Sequence, residues 1–151
     1  MQYQGTLIAV TDMEKSKFFY EKVMEQKILM DLGVHVSFDR GLSLQSNYEE
    51  LVGEALRIQP RPNNFQLYFE VEDLEHWQEK IKKIDGIEFI HEAKEYPWGQ
   101  RVMRFYDYDQ HIIEVSESMA CVAKRFLAQG LSIEETSQRT MFPVDFINSI
   151  L

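Results

Sequence analysis

The chain has 151 residues, a mass of 17.9 kDa, 44% hydrophobic and 27% charged residues. This composition excludes bulk disorder, a collagen-like chain and a continuous coiled coil. A net charge of −9 and a pI near 4.9 oppose binding to nucleic-acid phosphates or to an anionic membrane surface, and no Lys/Arg stripe offsets them. The single cysteine, Cys121, rules out an internal disulfide and a CxxC zinc motif. No apolar run approaches the roughly 20 residues of a membrane span, and the opening Met1–Gly5 lacks the regions of a signal peptide. These features point to a cytoplasmic protein with no nucleic-acid or membrane partner.

In chain order, a strand-like run Thr6–Val10 leads into Asp12, a helix N-cap. Met13, Ser16, Phe19, Tyr20 and Val23 then follow helical spacing. Three strand-like runs come next, Lys27–Met30, Val34–Phe38 and Leu42–Gln45, with Gly33 and Gly41 as punctuation. Residues 47–64 read as a linker, opening on a weak helix (Tyr48–Leu56) and breaking at Pro60 and Pro62.

The pattern then repeats. Val10-Thr-Asp-Met-Glu recurs as Val71-Glu-Asp-Leu-Glu, 61 positions later. The strand Phe65–Val71 precedes it, a helix carrying Leu74, Trp77, Ile81 and Ile84 follows, and strands Ile87–Ile90, Arg101–Tyr106 and Ile112–Val115 complete it. Each copy is a βαβββ module. About 60 residues are marginal for independent stability, so the two are expected to share a core.

Beyond residue 118 the texture changes. Cys121–Gln129 is a helical run ended by Gly130, Ser132-Ile-Glu-Glu135 is a capping box for a second helix, and a third follows Pro143. The Gln129–Ser132 junction has the look of a helix-turn-helix. Lys124, Arg125 and Arg139, against three acids, are too few cations for a phosphate footprint. The segment is therefore read as a helical appendage covering a sheet face or a partner subunit.

The doubled module, with Val10, Asp12, Ser16, Phe19 and Tyr20 opening the first helix and Phe105-Tyr-Asp107-Tyr-Asp109-Gln-His-Ile-Ile-Glu114 near the end, resembles the vicinal oxygen chelate superfamily. That superfamily includes glyoxalase I, bleomycin-resistance proteins and extradiol dioxygenases. The resemblance implies an α+β fold of paired βαβββ modules curled into an open β-barrel cleft. The domain spans residues 1–118, with modules at about 5–46 and 64–117, and a helical extension at 119–151. It also implies a homodimer.

Metal-dependent members of that family place a His or Glu on the first and last strands of each module. Here the matching positions fall on Gly5, Gln66, Ser43 or Gln45, and Glu114. One carboxylate among neutral groups is a poor site for Zn²⁺ or Ni²⁺, so no metal cofactor is expected. If one binds (Zn, Ni, Mn or Fe), its ligands are Glu114 and Gln66. A displaced site would draw on His35 or His91.

Without a metal, the cleft is expected to bind a small molecule. If Asp107–Gln110 form a four-residue turn, Met103 stands opposite Glu114, and Arg101, Met103 and Phe105 share its face. The expected ligand-binding residues are Gln45, Gln66, Trp98, Arg101, Met103, Phe105 and Glu114, with Trp98 in a flap and Glu114 also a candidate general base. A buried Glu114–Arg101 pair serves either as a polar anchor for a ligand or as an internal salt bridge. Two functions follow: a metal-independent binding protein, similar to the bleomycin-resistance branch, for a small, partly aromatic molecule; or a divalent-metal lyase or isomerase of the glyoxalase type. A DNA-binding regulator using the appendage is a weaker third.

Overall fold

The structure, a computed structural model, describes residues 1–56 and 58–150. Arg57 of the expected linker and Leu151 of the expected extension lie outside the described residues. The chain divides into two units, one of residues 1–64 with 107–111, the other of 65–106 with the rest of the C-terminal chain.

In the first unit, β1 (Thr6–Ala9) leads to α1 (Met13–Phe18), followed by β2 (Ile28–Asp31), β3 (His35–Phe38) and β4 (Leu42–Gln45). Asp12 caps α1, its side chain accepting from the Lys15 amide. After Phe18 the helix widens into a π-type turn, Phe19–Val23, in which the adjacent rings of Phe19 and Tyr20 are both fully buried. The sheet order is β1-β4-β3-β2, with β1 parallel to β4 and the other pairs antiparallel. Ile8, Val36, Phe38, Leu42 and Leu44 alternate toward the buried face. A short helix, α2 (Tyr48–Val52), opens the linker.

The second unit repeats this plan with β5 (Leu67–Val71), α3 (Leu74–Lys82), β6 (Glu88–Glu95), β7 (Arg101–Tyr106) and β8 (Ile112–Glu117). Asp73 caps α3 as Asp12 caps α1. The order β5-β8-β7-β6 is that of the first sheet, again with one parallel pair, β5 with β8. The repeat visible in the sequence is thus a repeat of topology. Met103, Phe105, Ile113 and Val115 are fully buried on the sheet face that packs against Leu74 and Ile81 of α3.

Three helices end the chain: α4 (Met119–Ala128), α5 (Ile133–Thr140) and α6 (Val144–Ser149). Ser118 caps α4, Gly130 follows it with φ 95°, and Ser132 with Glu135 forms the capping box expected for α5. Val122, Ala123, Phe126, Phe142 and Ile147 form their own apolar core. Among the described residues, no helix is long and apolar enough to cross a membrane.

Candidate functional site

The register of the β7–β8 hairpin decides which side chains meet. Asp107 donates its amide to the His111 carbonyl (3.1 Å), and its Oδ1 accepts from the amides of Asp109 (3.0 Å) and His111 (2.8 Å). Only Tyr108, Asp109 and Gln110 form the loop, with Gln110 in the left-handed region at φ 66°. Tyr106 therefore pairs with Ile112, and Arg104 with Glu114.

This corrects the expectation from a four-residue turn. A shift of one residue exchanges the two faces of a strand. Met103 and Phe105 point into the core at 0% exposure, away from Glu114. Arg101 shares their parity and pairs instead with Glu117 and Glu75. Its amide donates to Glu117 Oε2 (3.0 Å) and its Nη2 to Oε1 (2.6 Å). Burial pushes the Glu117 carboxyl up, but hydrogen bonds from Arg101 and Arg125 outweigh this and hold it below its ordinary value.

On the other face, Arg104 lies at the centre of a polar cluster. Its Nη2 forms an ion pair with Glu114 Oε2, and its Nε donates to Gln66 Oε1 (3.3 Å). Its Nη1 donates to His91 Nε2 (3.1 Å) and to the Tyr96 hydroxyl. His91 Nδ1 lies 2.8 Å from the Glu92 carbonyl, which assigns the proton to Nδ1 and leaves Nε2 to accept. Glu114 Oε2 is buried against the Arg104 guanidinium.

The cluster continues along the same face. Tyr68 stands beside Glu114 in the parallel β5–β8 ladder, 49% exposed. Burial and a hydrogen bond to Glu70 hold its phenol above the ordinary value. Ser116 Oγ donates to the Tyr68 hydroxyl (3.1 Å), and buried Gln100 donates to Ser116 Oγ (3.2 Å) and to the Glu117 carbonyl (2.9 Å). Trp98, expected in a flap, stacks on Tyr96 at 4.9 Å and donates from Nε1 to Gln100 Oε1 (3.1 Å). Its turn is closed by two backbone hydrogen bonds, Tyr96 amide to Gln100 carbonyl and Gly99 amide to Tyr96 carbonyl.

Of the expected residues, Gln66, Trp98 and Glu114 fall in this cluster or beside it. Gln45 belongs to the first sheet, where its Oε1 pairs with His35 Nδ1 (3.0 Å). Arg104, His91 in this role, Tyr96 and Gln100 escape the sequence reading. Arg104 is recoverable from strand alternation once the hairpin loop is counted as three residues.

The residues at the family's metal positions do not fit a divalent ion. Gly5 carries no ligand atom, and its backbone touches Gly41 so closely that a Cβ there would lie 2.0 Å from the Gly41 carbonyl oxygen. Glu114 faces a guanidinium, which repels a cation, and Gln66 already accepts from Arg104. Among the described residues no group of three His, Cys, Asp or Glu side chains converges. The first sheet carries a different feature, an open cavity of about 390 Å³ lined by Gly5, Leu7, Leu29, Ser37, Gly41 and Ser43 among others, none of them charged.

Residues 3–120 match the model of the glyoxalase-like domain. The chain is similar to a solved structure of a protein of unknown function from Agrobacterium tumefaciens str. C58. The two are 36% identical, with 79% of this chain and 95% of that one covered at a TM-score of 0.70. It also shares its fold with a lactoylglutathione lyase from Agrobacterium tumefaciens (20% identity, 78% and 93% covered, TM-score 0.59). A genomically encoded fosfomycin resistance protein from Listeria monocytogenes has the same fold (18% identity, 79% and 94% covered, TM-score 0.61). No curated protein matches the chain significantly.

Proposed function

Because this chain belongs to the glyoxalase-like domain family, we propose that it binds a small, partly aromatic molecule on the Arg104–Glu114 face of its second module, without a resident metal. The observation that carries this reading is the pairing of the guanidinium with the one carboxylate that the family's metal would use. The pair leaves the Arg104 guanidinium as its accessible charge, and the Tyr68 and Tyr96 rings beside it supply apolar surface for a ring of the ligand. The fold hosts both lyases and resistance proteins, so the local chemistry and not the architecture supports the choice.

Arg104 is placed to donate to a ligand carboxylate, because its guanidinium is more exposed than the Glu114 carboxylate beneath it. The reading includes a homodimer, which follows from the resemblance and which sedimentation of the purified protein checks.

Elemental analysis of the purified protein tests the metal-free reading. Substoichiometric zinc, nickel, manganese and iron are expected, with no change on Glu114→Gln. A stoichiometric metal that Glu114→Gln removes would favour a divalent-metal lyase or isomerase instead.

A further inference from the structure

The C-terminal helices reach back to one short turn of the second module. Arg125, on α4, donates from Nη1 to Glu95 Oε2 (3.1 Å) and from Nη2 to the Gly99 carbonyl and to Glu117 Oε2 (3.0 Å). Arg139, on α5, donates from Nη1 to the Pro97 carbonyl and from Nη2 to Glu95 Oε1 (3.1 Å). The Glu95 carboxylate thus holds one arginine on each oxygen.

Phe126 lies under both guanidinium groups, whose central carbons are 4.9 Å and 5.4 Å from its ring centroid. The same ring presses on Gly99, which has φ 87° and where a Cβ would fall 2.3 Å from it. Residues 95–99 are therefore gripped through a carboxylate, two carbonyls and a glycine. Such a network of charge-assisted hydrogen bonds fixes geometry better than isolated surface ion pairs do.

The gripped turn carries the side chains that extend the Arg104 face. Tyr96 accepts from Arg104, and Gln100 ties Ser116 to Trp98. The helices α5 and α6 lie beyond the span matched by the family model, which ends at residue 120.

We infer that the C-terminal extension is a clamp for the ligand-binding face, with Arg125 and Arg139 as positioning residues that hold the 95–99 turn and so keep Tyr96 and Gln100 in place beside Arg104 and Ser116. The inference rests on the reading of that face as the ligand site.

The test uses the full chain. Its only tryptophans are Trp77 and Trp98, so a Trp77→Phe background makes Trp98 the sole emitter. In that background Arg139→Ala, which alters an exposed side chain, is expected to red-shift Trp98 emission and raise its quenching by acrylamide, with far-UV circular dichroism unchanged. Adding Arg125→Ala should enlarge both effects. Arg139→Lys keeps a donor for the Pro97 carbonyl and should restore most of the signal. Lys124→Ala removes a cation from the same extension and should change nothing.

The second readout is the Arg104 Nε–H resonance titrated with benzoate. Its shift should weaken in Arg139→Ala. Trp98 emission and quenching unchanged in Arg139→Ala and in the double variant overturn the clamp, whatever benzoate does. A Trp98 response with benzoate binding intact overturns the positioning role. If benzoate leaves Arg104 unmoved in the parent protein, the ligand reading fails, and the Trp98 signal alone supports or overturns the clamp.

Discussion

Arg104 stands directly opposite Glu114 across the β7–β8 ladder and closes on its carboxylate. Glu114 is the one acidic residue at the positions where the resemblance would place the superfamily's metal ligands. The guanidinium turns that residue from a prospective metal ligand into half of an ion pair, and it recruits Gln66, His91 and Tyr96 around itself. The charge that remains accessible is that of Arg104, whose side chain is 24% exposed against 8% for Glu114.

Removing Arg104 leaves the Glu114 carboxylate buried without a counter-ion. Arg104→Met is expected to cost about 3 kcal/mol, the lower end for breaking a buried pair because Arg104 is partly exposed. Arg104→Met with Glu114→Leu should recover most of that loss. Urea denaturation of the two variants measures both values.

The hairpin register depends on a second buried contact. The Tyr20 hydroxyl donates to Asp107 Oδ2 (2.6 Å), and His111 Nδ1 lies 2.9 Å from the same oxygen. Tyr20→Phe removes one donor from a buried carboxylate and should cost about 1–3 kcal/mol in thermal or chemical denaturation. Burial, reinforced by Asp107, holds the Tyr20 phenol well above its ordinary value. Its contribution is therefore intact below about pH 10 and lost as pH rises further. Tyr20→Phe should flatten that alkaline decline.

Glu117 supplies the acid-side counterpart. Its carboxyl titrates below the ordinary range in the folded protein, so as pH falls the unfolded chain takes up the proton first. The stabilisation is fully present above the ordinary carboxylate pKa of about 4.3 and disappears as pH drops through the folded value. The native protein should exceed Glu117→Gln in stability by about 2 kcal/mol at neutral pH, a value typical of charge-assisted hydrogen bonds. That margin should vanish at low pH in denaturation curves taken across the acid range.

Restoring a histidine where the family's first metal ligand would stand should not restore a site. The Gly5 backbone leaves no room for a Cβ against the Gly41 carbonyl, so Gly5→His is expected to lose about 1–3 kcal/mol through overpacking. It should gain no affinity for Zn²⁺ in calorimetric titration.

The two modules, their helix caps and the C-terminal helices were legible in the sequence because each rests on local signals. Asp12 and Asp73 cap their helices through their own side chains, and Ser132 with Glu135 closes a box within four residues. The site was legible only in part. Its layout turns on whether the β7–β8 loop holds three residues or four. Asp107 settles that through hydrogen bonds to Asp109, His111 and Tyr20, the last 87 positions away. Tyr108 and Gln110, in place of the family's Pro and Gly, hid the turn, and one residue of register moved Arg101, Met103 and Phe105 off the Glu114 face. The arginine clamp on residues 95–99 is a wholly tertiary feature with no spacing to betray it.

The most direct test of the central claim is ¹⁵N–¹H chemical-shift mapping of benzoate, salicylate and phenylacetate on the full-length protein in the presence of EDTA. The account predicts saturable shifts at residues 66–68, 91–104 and 114–116, unaltered by the chelator and lost in Arg104→Met. Shifts confined to other surfaces, or appearing only when a divalent metal is added, would contradict it.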